Sequence, residues 1–285
     1  MIAPSTYTLG GAEPARVVEP PDAASLAREL HACALNGAAV VAFGGGTLQG
    51  IGNLPTRYDV ALSTRRLDGV RAYDPRDLTI GVEAGMTVAA LTRTLAKHGQ
   101  FVPLDVPDPE HATVGGVLAA GWLGPRRAAY GRPRDLLIGS TAALVDGTLA
   151  SAGGMVVKNV TGYDVGKLYV GSLGTLGVLV RANFKALPKP PAMRLAVAEL
   201  TDDARERTIA ALGALAVEPI AALALEGFGG PPRIVVSFEG SEATVERATR
   251  DLRSALGRSG IAETTLLDGE QAERAFAQVL AGYTE

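Results

Sequence analysis

The chain has 285 residues, of which 47% are apolar and 20% charged, and a formal net charge of -3. Such values exclude a disordered chain, allow one large domain or two smaller ones, and, with no long basic block, argue against a nucleic-acid surface. Cys33 is the only cysteine and His31, His98 and His111 are scattered, which excludes an internal disulfide, a CxxC pair and an HExxH site, so no metal centre is expected.

In chain order, PDAASLARELHACALNG (21–37) reads as a helix, with Asp22 near its start and Gly37 as its stop. AAVVAF (38–43) is a strand running straight into GGGTLQGIG. Residues 58–62 form another strand, and 67–85 suggest two more joined by a turn at Asp74–Asp77. TVAALTRTLAKHG (87–99) is a second helix, capped by Thr87 and stopped at Gly99. The region 130–154 holds a strand and a hairpin turn at Asp146–Gly147, and 176–186 is a strand before the linker LPKPP (187–191). Beyond it come strand 193–200, helix 202–215, strands 221–228 and 232–240, helix 242–260, a short strand 263–267 and helix 269–282. The order βαββαβ within this part is the ferredoxin-like arrangement. No apolar run reaches the roughly 18 residues of a membrane span, and the first residues lack a basic-then-apolar signal pattern.

Glycine is the anomaly, with 35 residues, and its informative clusters precede residue 180. FGGGTLQG (43–50) follows a strand, where successive glycines can turn several N–H groups toward one point and Thr47 can add a hydroxyl. Alone, this loop is open to two readings, a tight structural turn and a phosphate nest. PDPEHATVGGVLAAG (107–121) is a second glycine element, with Val114, Val117 and Leu118 as core anchors. VVKNVTGYDVGKLYVGSLGTLGVLV (156–180) is a third, placing Lys158, Asn159, Thr161, Tyr163, Asp164 and Lys167 before a turn built on Gly171, Gly174 and Gly177. Three such elements suit a long, flat, mostly apolar cofactor bearing a diphosphate.

GGGT (44–47), PLDVPDPEHATVGG (103–116), GPRRAAYG (124–131), RDLLIG (134–139) and GGMVVKNVTGYDVGKLYVGSLGTLGVLV (153–180) resemble the FAD-binding (PCMH-type) domain of the vanillyl-alcohol oxidase family, with the E subunits of bacterial glycolate oxidases nearest. The resemblance implies an α+β fold. A two-subdomain PCMH-type FAD-binding domain at 1–190 would be followed by a small ferredoxin-like α+β cap or interaction domain at 191–285. No counterpart of the family's closing FDPxGxxNPG-like segment precedes the final GYTE, so the expectation is either an abbreviated cap or a shortened member of the family.

Carried over residue by residue, the resemblance makes Gly44, Gly45, Gly46 and Thr47 the diphosphate loop, and Thr113, Gly115 and Gly116 the second contact on diphosphate and flavin. Asp135, Gly139 and Val178 would flank the adenosine side, and Gly177 would admit the cofactor edge. No histidine lies beside GGGT, so FAD is expected to be noncovalent. The implied partners are a D-type flavoprotein subunit and an iron–sulfur subunit, the substrate a small 2-hydroxy acid such as glycolate, and the location cytoplasmic with any membrane association made through partner subunits. The alternatives are a self-sufficient 2-hydroxy-acid dehydrogenase and a cofactor-free structural subunit.

No catalytic residue is assigned from sequence. His111 is the only histidine beside a cofactor-loop candidate, and a surface or structural role is favoured for it. Arg126, Arg127 and Arg134 suit contacts to phosphate, partner or acidic groups. Tyr163 suits a structural bond better than an acid role, and Trp122, the only tryptophan, a core or interface position.

Overall fold

The computed structural model describes residues 4–156, 164–227, 230–261 and 263–282. Lys158, Asn159, Thr161 and Tyr163 lie outside the described residues. The chain divides into two compact units, one made of Met1–Leu123 and Arg132–Pro188, the other of Gly124–Gly131 and Lys189–Glu285.

The first unit opens with strand β1 (Arg16–Val18), helix α1 (Ala23–Leu35), β2 (Val40–Phe43) and β3 (Val60–Ser63). These strands form a parallel sheet in the order β1-β3-β2. The Asp22 carboxylate accepts a hydrogen bond from the Ser25 N–H at 2.7 Å and so satisfies one orphan donor at the start of α1. Leu26 and Leu30, four residues apart on one helix face, pack with Leu62, Leu67, Val178 and Val180.

Next come β4 (Val70–Asp74), β5 (Thr79–Glu83), helix α2 (Val88–Ala96), β6 (Gln100–Phe101) and helix α3 (Val114–Ala120). Two four-residue helices follow, α4 (Arg127–Tyr130) and α5 (Pro133–Leu136). Strands β7 (Leu137–Ala143), β8 (Leu149–Gly153), β9 (Val178–Lys185) and β10 (Leu187–Pro188) complete the run. The second sheet is antiparallel in the order β4-β5-β9-β7-β8, and β10 pairs with β6. Every residue of β5 is buried, as befits a strand covered on both faces. In β9, Val178 and Val180 face α1 while Leu179 joins the core formed with α2 and α3, the two-residue alternation of a strand.

Residues 114–120 are helical although two of the first three are glycine. The Thr113 hydroxyl caps the helix by accepting from the Gly116 N–H at 3.2 Å, and Val114, Val117 and Leu118 bury one face. Tertiary burial here outweighs the low helix propensity of glycine.

The second unit contains β11 (Ala192–Glu199), α6 (Asp202–Gly213), β12 (Ala221–Leu225), β13 (Arg233–Gly240), α7 (Glu242–Arg258), β14 (Thr265–Asp268) and α8 (Gly269–Ala281). Its antiparallel sheet has the order β12-β13-β11-β14, the ferredoxin-like pattern expected from βαββαβ. Ile234, Val236 and Phe238 of β13 face a core that takes Ala204 from α6 and Val245, Leu252 and Leu256 from α7. Val235, with Leu195 and Ala221, faces Ala272 and Phe276 of α8 on the other side.

Gly124–Gly131 joins this unit, whereas a linear division at residue 190 assigns it to the first. The physical reason is a polar anchor. Arg126 pairs with Glu239 of β13, the Tyr130 hydroxyl donates to the same carboxylate, and the Arg126 guanidinium lies 5.6 Å from the centre of the Phe276 ring.

Candidate functional site

A cleft of about 450 Å³ opens in the first unit, within the size range of small-molecule pockets. Its wall is made by Val40–Ala42 of β2, the loop from Gly44 onward, Gly116, Ala119 and Ala120 of α3, and the turn Leu173–Thr175. The third glycine element reaches the cleft because its turn is tied to the end of α3. Gly171 donates to the Leu118 carbonyl at 2.9 Å and Leu173 to that of Ala119 at 2.8 Å.

The glycine loop is held against the start of α3. A methyl group on Gly44 would overlap the Thr113 hydroxyl, and one on Gly45 the His111 carbonyl oxygen. These two glycines permit close approach of one backbone to another. Gly46 differs, with φ at +82° and open space where a side chain would stand. Among the described residues, no protein acceptor takes the N–H groups of Gly45, Gly46 or Thr47. A left-handed residue within a run of outward amides makes an anion-binding concavity.

Of the residues expected from sequence, Gly44, Gly45, Gly46, Thr47, Thr113 and Gly116 all line the cleft. Gly115 lies buried beneath it, where its amide donates to the Ala84 carbonyl at 2.7 Å and a side chain would strike Ala84. Asp135, Gly139, Gly177 and Val178 do not line it. The Asp135 carboxylate accepts from the Arg132 N–H at 2.9 Å, and Gly139 sits against Gly154 of the neighbouring chain segment. Gly177 has Ala143 and Leu144 where its side chain would be, and Val178 is core. The cleft takes instead Leu173, Gly174 and Thr175, a few residues earlier in the same turn. Sequence reading also passed over Gln49, Asn53 and Leu54, although they continue directly from the glycine loop.

His111 contributes its carbonyl rather than its ring. The imidazole is exposed and bonded to the Asp108 carboxylate at 2.8 Å. Trp122 donates its indole N–H to the Asp105 carbonyl at 2.7 Å and packs on the core. Asp164 pairs with Lys167. None of the described lining residues carries a charge, so no carboxylate opposes an anion at the loop. Among the described residues, no group of His, Cys, Asp and Glu is placed to hold a metal ion. Free amides, the Thr47 hydroxyl and apolar walls fit an extended cofactor with a diphosphate.

Comparisons with known proteins agree with this geometry. Residues 14–153 match the FAD binding domain family. The chain is 30% identical to glycolate oxidase subunit GlcD of Bacillus subtilis over 72% of its own length and 44% of the relative's. It is 40% identical to glycolate oxidase subunit GlcE of Escherichia coli over 46% of its length and 38% of the relative's. It is 36% identical to a D-lactate dehydrogenase of Archaeoglobus fulgidus over 51% of its length and 32% of the relative's. The chain thus spans less than half the length of these relatives. In fold it is similar to a solved structure of alkyldihydroxyacetonephosphate synthase, with a TM-score of 0.78 at 18% identity, covering 97% of this chain and 56% of that one. The match over residues 14–153, the α+β fold and the cleft converge: this part of the chain is similar to an FAD binding domain, and FAD is the cofactor indicated for it.

Proposed function

We propose that the chain is the FAD-holding subunit of a 2-hydroxy-acid dehydrogenase of the glycolate-oxidase type. It would work beside a D-type flavoprotein subunit and an iron–sulfur subunit that carries electrons away. The observation that supports this best is the amide run Gly45–Thr47, without a protein acceptor among the described residues, lining a cleft that lies largely within the matched region. The named relatives support the substrate class, since two are glycolate oxidase subunits and one a D-lactate dehydrogenase.

In this reading the amides of Gly45, Gly46 and Thr47, with the Thr47 hydroxyl, bind the diphosphate. Val41, Ala42, Ala119 and Leu173 line the apolar remainder of the cleft and shield it from water. Bound FAD supplies a two-electron acceptor for the C–H bond of the hydroxy acid. Asp135, Gly139 and Val178, which do not line this cleft, are proposed to flank the adenosine side and Gly177 to admit the cofactor edge, while Gly115 packs beneath the cleft on Ala84. Attachment is proposed to be noncovalent, since no histidine lies in or beside GGGT. The second unit serves as a cap or as an interaction domain, and the chain works in the cytoplasm. No described helix is long and apolar enough to cross a membrane. Any association with one is proposed to run through partner subunits.

Purification with and without the candidate partners, followed by flavin quantitation per chain and anaerobic addition of glycolate or D-lactate, tests the reading. The expected result is flavin released intact by acid, and bleaching by substrate only in the assembled complex. Bleaching of the isolated chain would favour a self-sufficient dehydrogenase. A chain that neither carries nor takes up flavin would overturn the proposal.

A further inference from the structure

Arg65 lies just past the end of β3, is exposed, and lines no part of the cleft. Its Nε donates to the Gly44 carbonyl at 3.0 Å and its terminal nitrogen to the Gly45 carbonyl at 3.2 Å. A peptide unit is planar and, with no cis bonds among the described residues, trans. The N–H of Gly45 therefore points opposite to the Gly44 carbonyl, and that of Gly46 opposite to the Gly45 carbonyl. Fixing both carbonyls with one planar fork fixes both amides on the far side, and those are two of the amides that no protein acceptor takes among the described residues.

The fork is itself held. The Arg65 guanidinium rests 5.6 Å from the centre of the Tyr7 ring. Tyr7 is buried, donates its hydroxyl to Glu19, and packs edge-on against Phe43 with ring centres 5.0 Å apart. Phe43 is the residue directly before the glycine loop. The Arg65 amide donates to the Ser63 hydroxyl at 3.3 Å, and the Thr64 amide to the Phe43 carbonyl at 2.7 Å, which locks the start of the loop to the end of β3.

We infer that Arg65 is a positioning residue for cofactor binding: its guanidinium fork grips the Gly44 and Gly45 carbonyls from behind and aims the Gly45 and Gly46 amides at the diphosphate. The inference rests on the proposed FAD site, and it assigns to Arg65 a preorganising role with no contact to the cofactor. Lysine keeps the charge but lacks the planar fork that spans two carbonyls.

Two measurements test it. In the first, FAD and ADP are titrated into flavin-free wild type, Arg65→Ala and Arg65→Lys, with melting temperatures recorded. Both variants should bind both diphosphates at least about tenfold more weakly, the loss expected when a charge-assisted bond that shapes a site is removed. Melting temperatures should change little. Affinity within twofold of wild type in Arg65→Ala, or full recovery in Arg65→Lys, overturns the inference. In the second, backbone amide order parameters of residues 44–47 are measured by NMR relaxation in the flavin-free chain. Lower order parameters in both variants are expected, and unchanged ones overturn the inference whatever the flavin result. Failure of wild type to bind FAD or ADP removes the proposed site, whereas the relaxation arm judges Arg65 separately.

Discussion

A methyl group on Gly45 would overlap the carbonyl oxygen of His111, while one on Gly46 would meet only the edge of the Phe43 ring at 4.0 Å. Adjacent glycines in one loop are therefore there for different reasons, close backbone approach for the first and a left-handed φ for the second. Gly45→Ala must displace backbone and is expected to cost about 1–3 kcal/mol of stability, with flavin lost alongside. Gly46→Ala is expected to cost about 1 kcal/mol of strain and to act mainly on flavin affinity, by redirecting the amide of Thr47. Urea denaturation with flavin titration separates the two, and a larger stability loss in Gly46→Ala would contradict the assignment. From sequence, both residues read alike as nest glycines, because the contact with His111 joins segments more than sixty residues apart.

The helices show where one-dimensional reading holds and where tertiary context takes over. Helix α1 was legible down to its cap, since Asp22 and the Leu26–Leu30 spacing are local signals. Helix α3 was legible only in part: Val114, Val117 and Leu118 read as core anchors, but the two glycines of TVGG left the segment as a glycine element rather than a helix. In the third glycine element the turn was legible but not which of its residues face the cleft. That choice depends on hydrogen bonds from Gly171 and Leu173 to the end of α3. The Asp22 cap also carries a pH signature. Its bonds with Ser25 hold the Asp22 carboxyl below the ordinary value of 3.8. A carboxylate with a lowered folded pKa stabilises the fold above its unfolded value, and that contribution is lost as pH falls through the folded one. Asn caps a helix comparably but does not titrate. The difference in melting temperature between wild type and Asp22→Asn should therefore be steady at neutral pH and shift against wild type below about pH 4. A difference that stays constant down the acid limb would show that the cap bond does not form.

At the scale of the molecule, the ferredoxin-like sheet order was legible from element order alone, and the share that Gly124–Gly131 takes in the second unit was not. Nothing in GPRRAAYG announces that Arg126 and Tyr130 meet Glu239, whose side chain is only 4% exposed. A fragment of residues 189–285 made without that segment keeps the Glu239 carboxylate and loses its cation. Breaking a buried pair from one side costs about 3–5 kcal/mol. The fragment is thus expected to melt well below one carrying residues 124–131 on a linker, with Glu239→Gln or a synthetic 124–131 peptide recovering part of the loss. Equal melting of the two fragments would mean that the anchor is not a stabilising contact.

The same anchor bears on the order in which the chain becomes complete. During vectorial synthesis Tyr130 leaves the ribosome 109 residues ahead of Glu239. The strands of the flavin-binding unit, through β10, can therefore all be paired while residues 124–131 still wait for their partner. A nascent chain stalled once β10 has cleared the ribosome should present Arg126 to a protease that cuts at basic residues, and the finished chain, where Arg126 is paired with Glu239, should withhold that bond. The segment would then report, from inside the first half of the sequence, whether the last third has folded.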